Sequence, residues 1–189
     1  MAGPTQTMVL MSGRMTLLSQ PRYRWDERPS NSGVGIYAYF IDRPNGLRPI
    51  SLPANGLLYI GMTDSSLDAR CHFEHGHSGF STFRRSLGAL LKSQLQLRAL
   101  PRSYGASRSN VLNYRFEADD EDRLTNWMRE NLTYSYRDIA DHVAAAEKAE
   151  IMEESPPLNL IGWKNESRAE IKRLRALCAA EASLARTIR

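Results

Sequence analysis

Only two cysteines occur in 189 residues, Cys71 and Cys178, far apart and without a CxxC spacing. This excludes a disulfide framework and a four-cysteine zinc site, and it points to a reducing, cytoplasmic setting. No window approaches the roughly 20 apolar residues that a membrane helix needs, so no membrane partner is expected. The run Met8-Val9-Leu10-Met11 is cut short by Ser12, Gly13 and Arg14, too soon for a signal-peptide core. Internal repeats and low-complexity tracts are lacking as well. What remains, 42% hydrophobic and 24% charged residues, is one globular domain with modest extensions, long enough to bury a core without staples.

The most informative absence is local. Residues 75–115 carry Arg84, Arg85, Lys92, Arg98, Arg102, Arg108 and Arg115 but no Asp or Glu. Residues 117–154 reverse this with twelve acids against four bases, and residues 163–189 return to seven bases against three acids. The formal charge of +4 therefore conceals alternating blocks of opposite sign. A long cationic stretch rich in Ser and Gly predicts a phosphate-facing surface. Within it, His77 to Ser86 places hydroxyls, glycines and the Arg84-Arg85 pair just ahead of a helix, a pattern suited to phosphate contacts. Arg84, Arg85, Lys92 and, further on, Lys164 are the candidate nucleic-acid contacts. Arg168, Lys172 and Arg175 share a face of the last helix and either extend this surface or leave it to Ile171, Leu174 and Leu177 to dock the helix.

Turn and periodicity signals divide the chain into an N-terminal arm (1–32), a domain (33–162) and a basic C-terminal helix packed on it (163–189). Val34–Ile41 is β-branched and aromatic, and Leu57–Gly61 reads as its hairpin partner across a Pro- and Asn-Gly-rich connection. Asp64-Ser65-Ser66 predicts an N-cap for a helix over 67–75, and residues 81–100 carry helical spacing up to Pro101. Strands are predicted at 111–117 and 133–139. A helix runs between them from Asp119-Asp120-Glu121-Asp122, whose acids suit the helix dipole, and another runs over 142–154, capped by Asp141. The fold class is α+β: a small three-stranded antiparallel sheet flanked by helices, with extra strand and helix insertions.

Gly35-Ile36-Tyr37 in the first strand and Tyr59-Ile60-Gly61 at the end of the second are followed in order by Leu67-x-x-Arg70, Glu147 and, after Pro156-Pro157-Leu158, Asn159. This ordered set resembles the GIY-YIG nucleases over residues 34 to about 160. The chemistry is consistent with the residue types. Hydrolysing a phosphodiester requires a deprotonated nucleophile, neutralised phosphoryl oxygens and a stabilised leaving oxygen. Tyrosines on neighbouring strands converge on one face, an arginine offers a permanently charged fork, and a carboxylate is a hard ligand for a divalent cation.

The resemblance implies a metal-dependent endonuclease acting on DNA, or on RNA, as a monomer or homodimer, with one Mg²⁺ or Mn²⁺. It implies Tyr37 as general base or water-orienting group, Tyr59 as support for the water or phosphate, and Arg70 as transition-state stabiliser. Glu147 would be the metal ligand, and Asn159 would hold the geometry. The family's histidine one turn after the arginine is Glu74 here, which leaves His72 and His75, ahead of His77, as candidates for proton transfer. That substitution also motivates an alternative, a nucleic-acid-binding module of the same fold that no longer cleaves. A zinc site from Cys71, His72, His75 and His77 is a weaker reading, because the ligands are too crowded to close a tetrahedron. Gly35 and Gly61 are expected to allow close approach of neighbouring chain rather than to take part in chemistry.

Overall fold

Gly35–Ile41 is buried along its whole length, as a β-branched and aromatic run is when both faces of a strand are covered. In the computed structural model, which describes residues 16–43, 47–70, 77–103 and 107–187, this segment is β1. It is the central strand of an antiparallel sheet, with β2 (Leu57–Thr63) on one side and β5 (Leu132–Asp138) on the other. Side-chain alternation divides the core in two. Tyr37, Tyr39 and Ile41 face Phe83 and Leu87 of α1 (Thr82–Leu95) and Leu124 and Met128 of α3 (Ala118–Asn131). Ile36, Ala38 and Phe40 face Leu17 and the Val143 and Ile151 side chains of α4 (Val143–Glu154). The sheet is thus sandwiched between helices, an α+β architecture.

Both outer edges of the sheet are covered, which removes the template an open edge offers to other chains. Tyr23 exchanges two backbone hydrogen bonds of 2.8 Å with Tyr134 along β5. On the β2 side, the Leu158 amide donates to the Leu58 carbonyl at 2.9 Å. The described part of the N-terminal arm is thereby tied to the sheet. Arg28 pairs with Asp68, whose carboxylate also accepts from the Ser30 hydroxyl at 2.6 Å and the Asn31 amide at 2.8 Å. The last helix, α5 (Arg168–Thr187), lies against α1 with Ile171, Cys178 and Ala182 fully buried, while Leu177 points outward and is exposed.

Three local expectations change. The predicted helix over 67–75 is, in its described part, a single turn from Leu67 to Arg70; residues 71–76, with Cys71, His72 and His75, lie outside the described residues. Ser66 caps that turn, accepting from the Ala69 amide at 3.2 Å, and backbone bonds from Leu67 to Gly33 and from Asp68 to Asn31 tie it to the arm. The helix predicted to Leu100 stops at Leu95. Gln96 turns left-handed (φ 52°), and the Lys92 ammonium donates to the Leu97 carbonyl at 2.7 Å. Ala99–Leu100 then forms a short strand, β3, which pairs with β4 (Arg115–Phe116). Between them, where a strand is predicted from 111, Arg108–Leu112 is a short helix, α2, begun by Ser107, which accepts from the Ser109 amide. His142 rather than Asp141 occupies the cap position of α4, in a left-handed conformation and without a side-chain cap bond.

Candidate active site

The pairing register places two tyrosines diagonally on one sheet face. Tyr39 stands opposite Tyr59 and Tyr37 opposite Gly61, so Tyr37 and Tyr59 project to the same side with ring centroids 6.4 Å apart. Tyr37 is packed by Tyr39 at 5.8 Å and Tyr134 at 6.0 Å, and Tyr59 lies 5.1 Å from Phe83. Gly61 is what lets the Tyr37 ring lie across β2. A Cβ at position 61 would come within 2.5 Å of the Tyr37 Cζ and Oη. At Gly35 the obstacle is backbone instead, with a Cβ only 2.2 Å from the Arg137 carbonyl oxygen. We expect Gly61→Ala to displace the Tyr37 ring and destabilise the fold by about 1–3 kcal/mol, the usual range for overpacking. Urea unfolding checks this, and an unchanged midpoint would mean that Tyr37 moves aside without cost.

Electrostatics join these tyrosines to residues far away in the chain. The exposed Arg70, on the turn after β2, acts on the Tyr37 phenol and favours its ionised form. Burial nonetheless holds the Tyr37 phenol well above its ordinary pKa, with the neighbouring Tyr59 adding to the shift and Arg70 opposing it. Tyr59 is pushed up to about 12, by burial first and then by the Glu147 carboxylate, against the pull of Arg70. Glu147 is half-buried on α4. Desolvation raises its pKa above the usual carboxylate value, and Arg70 draws it back. Arg70 thus acts on Tyr37, Tyr59 and Glu147, and Tyr59 links the other two.

Asn159 grips β2 beside them. Its Oδ1 accepts from the Ile60 amide and its Nδ2 donates to the Ile60 carbonyl, both at 2.8 Å. These two bonds occupy backbone groups that would otherwise face outward from the strand edge, and they fix the strand position next to Tyr59. A groove of about 530 Å³ opens here, lined by Tyr59, Glu147 and Asn159 together with Thr82 and cations of α4 and α5.

A family model spans the residues that form this geometry. The model of the GIY-YIG catalytic domain matches residues 35–177, most of the chain. The chain belongs to the GIY-YIG family. Comparison with curated proteins and with solved structures finds no match. The family match starts at the first residue of the Gly35-Ile36-Tyr37 strand and reaches well into α5, beyond the residue 160 at which the resemblance was placed.

The other candidate residues fare differently. Arg84 and Arg85, expected on a phosphate-facing surface, are instead buried, and their terminal guanidinium nitrogens bond within the protein. Arg84 pairs with Glu121 at 2.9 Å, with further bonds to the Glu121 carbonyl and the Thr125 hydroxyl. Arg85 donates to the Ser78 and Gly79 carbonyls and the Thr82 hydroxyl, and burial lowers its pKa to about 10. Lys92 ties α1 to α5 through Glu181 at 2.9 Å. Lys164 is exposed, but on a separate groove of about 470 Å³ beside Trp163 and Pro49. His77 accepts from the Gly79 amide through Nδ1, and burial lowers its pKa. With Cys71, His72 and His75 outside the described residues, the zinc reading rests on His77 alone; among the described residues no group of three potential metal ligands occurs.

Proposed function

We propose that this GIY-YIG chain is a metal-dependent endonuclease that hydrolyses DNA phosphodiester bonds. The observation that carries the reading is the groove that Tyr59, Glu147 and Asn159 share, with the Tyr37 ring 6.4 Å from that of Tyr59 and the Arg70 charge acting on Tyr37, Tyr59 and Glu147. A lone half-buried carboxylate is a suitable donor for Mg²⁺ or Mn²⁺, which keep several waters and take the rest of their ligands from substrate phosphate. Glu147 would hold that ion, and when bound it supplies Lewis-acid neutralisation of charge on the phosphoryl group.

The remaining chemistry falls to the chain's own groups. The two phenols keep their protons at neutral pH, because burial opposes the phenolate. Of the two roles open to Tyr37, this favours orienting the attacking water over abstracting its proton. Tyr59, lining the groove, donates toward water or phosphate. Arg70 presents a planar fork whose charge complements the phosphoryl oxygens as they gain charge. Asn159 keeps the Tyr59 strand in place. The acceptor of the water's proton is assigned to His72 or His75 by position in the chain.

Glu147→Gln tests the reading in two ways. Plasmid incubated with Mg²⁺ or Mn²⁺ is nicked by the native chain, EDTA stops this, and the variant falls to background; identical products from both chains would overturn the proposal. The second readout is stability without metal. The folded state holds the Glu147 proton more tightly than the unfolded state does, so ionisation of this carboxyl destabilises the fold as pH rises past its unfolded pKa. Glu147→Gln removes that cost, and its thermal midpoint at pH 7.5 is expected at or above that of the native chain. A second reading, binding without cleavage, is favoured by Glu74 at the family's histidine position; it predicts salt-sensitive DNA binding with no metal-dependent nicking.

A further inference from the structure

Eight cations of this protein are neutralised internally among the described residues. Arg24, Arg28, Arg84, Lys92, Arg98, Arg123, Arg137 and Arg173 each stand within ion-pair distance of a carboxylate. Four others line the groove beside Tyr59 and Glu147: Lys148 on α4 and Arg168, Lys172 and Arg175 on α5. Among the described residues none of these four pairs with a carboxylate, and Glu147 is the only acid in the groove wall. Arg173, on the same helix but outside the groove, donates through Nε and Nη2 to the two carboxylate oxygens of Glu170. On α5, Arg173 is thus paired, while Arg168, Lys172 and Arg175 pair with no carboxylate among the described residues.

The spacing of the α5 cations is i, i+4, i+7, which aligns them along one face of a straight helix. At 1.5 Å per residue they extend over about 10 Å, roughly the axial rise of three phosphate-to-phosphate steps in one DNA strand. At the inner end, Arg175 adds its charge to that of the buried Arg85 and depresses it.

We infer that Lys148, Arg168, Lys172 and Arg175 form a phosphate track that holds the backbone of the DNA substrate alongside the Tyr59–Glu147 site. This deepens the nuclease reading and rests on it for the identity of the substrate. The track positions a strand and takes no part in bond cleavage, so it acts on binding and KM while kcat for saturating DNA stays close to the native value. It also requires a polymer continuing for several phosphates to one side of the scissile bond.

The experiment measures binding and cleavage separately. A fluorescein-labelled 20-base-pair duplex is titrated with the full chain in EDTA at several salt concentrations, by anisotropy. Arg168→Gln/Lys172→Gln/Arg175→Gln is expected to weaken binding about tenfold or more at 0.1 M salt, and to reduce the slope of log affinity against log salt by roughly 3. Lys172→Glu, a single change at an exposed position, is the variant that keeps the test valid if the triple variant unfolds; it should weaken binding several-fold with an unchanged thermal midpoint. Native affinity and slope in Lys172→Glu and in a folded triple variant overturn the track, even where plasmid nicking is intact. Track-dependent binding without metal-dependent nicking upholds the track and overturns the endonuclease reading. A native chain that binds no duplex at all overturns the track, and the plasmid assay then decides the nuclease reading on its own.

Discussion

Arg84→Ala should cost about 3–5 kcal/mol of folding stability, because it leaves the Glu121 carboxylate buried without its charge partner. Arg84 is 0% exposed, and Glu121 is the hub of four segments. Its Oε1 accepts from the Ser78 and Phe116 amides at 2.9 and 3.0 Å, and its Oε2 from the Ser78 hydroxyl and the Arg84 guanidinium, both at 2.9 Å. The thermal midpoint should fall by about 10 °C or more for a chain of this size. Exchanging both partners for apolar residues, Arg84→Met/Glu121→Leu, should recover only part of the loss. A buried ion pair taken alone is often replaceable in this way, but here two backbone amides would lose their acceptor. Thermal and urea unfolding measure these effects. A stable Arg84→Ala chain with weakened DNA binding would instead return Arg84 to the surface role predicted from its block of cations.

Arg70→Ala should leave the fold standing and abolish most of the chemistry. The side chain is exposed, so little packing is lost, whereas a guanidinium that stabilises charge on a transferring phosphoryl group is worth on the order of 10³ in rate. Arg70→Lys should restore little, since an ammonium cannot reproduce the fork that reaches Tyr37 and a phosphate together. The pH profile supplies a second signature. Arg70 lowers the Glu147 pKa, and cleavage needs the carboxylate; without Arg70 the acid limb of the profile must therefore move to higher pH. Residual nicking measured between pH 5 and 8 checks both points. A rate within a few-fold of native, or a limb that stays in place, would remove Arg70 from the site.

These two arginines show where reading the chain succeeds. Arg70 follows two tripeptides at a characteristic position, so its neighbourhood was legible from motif order. Arg84 and Arg85 sit in a stretch without acids, and local composition assigned them to the surface. Their acceptors come from elsewhere: Glu121 is 37 positions away, in an acidic run whose position at a helix start seemed to explain it fully. The α5 cations were visible as a helical face, yet the alternation of paired Arg173 with unpaired Arg168, Lys172 and Arg175 depends on which acids lie nearby in space. The helix expected to reach Leu100 ends at Leu95 for a similar reason, because a two-strand ribbon closed by distant pairing overrides helical spacing, and the short helix Arg108–Leu112 stands where a loop and the start of a strand were expected.

The sequence by itself determined the strands that carry Tyr37 and Tyr59, the helices that cover them and the order of the catalytic motif, because hydrophobic period and turn chemistry are local properties. Only the tertiary structure decided which charges are paired within the fold and which are not. A charge has meaning through its distance to a counter-charge and its access to water, and both are set by residues that the chain brings together from far apart.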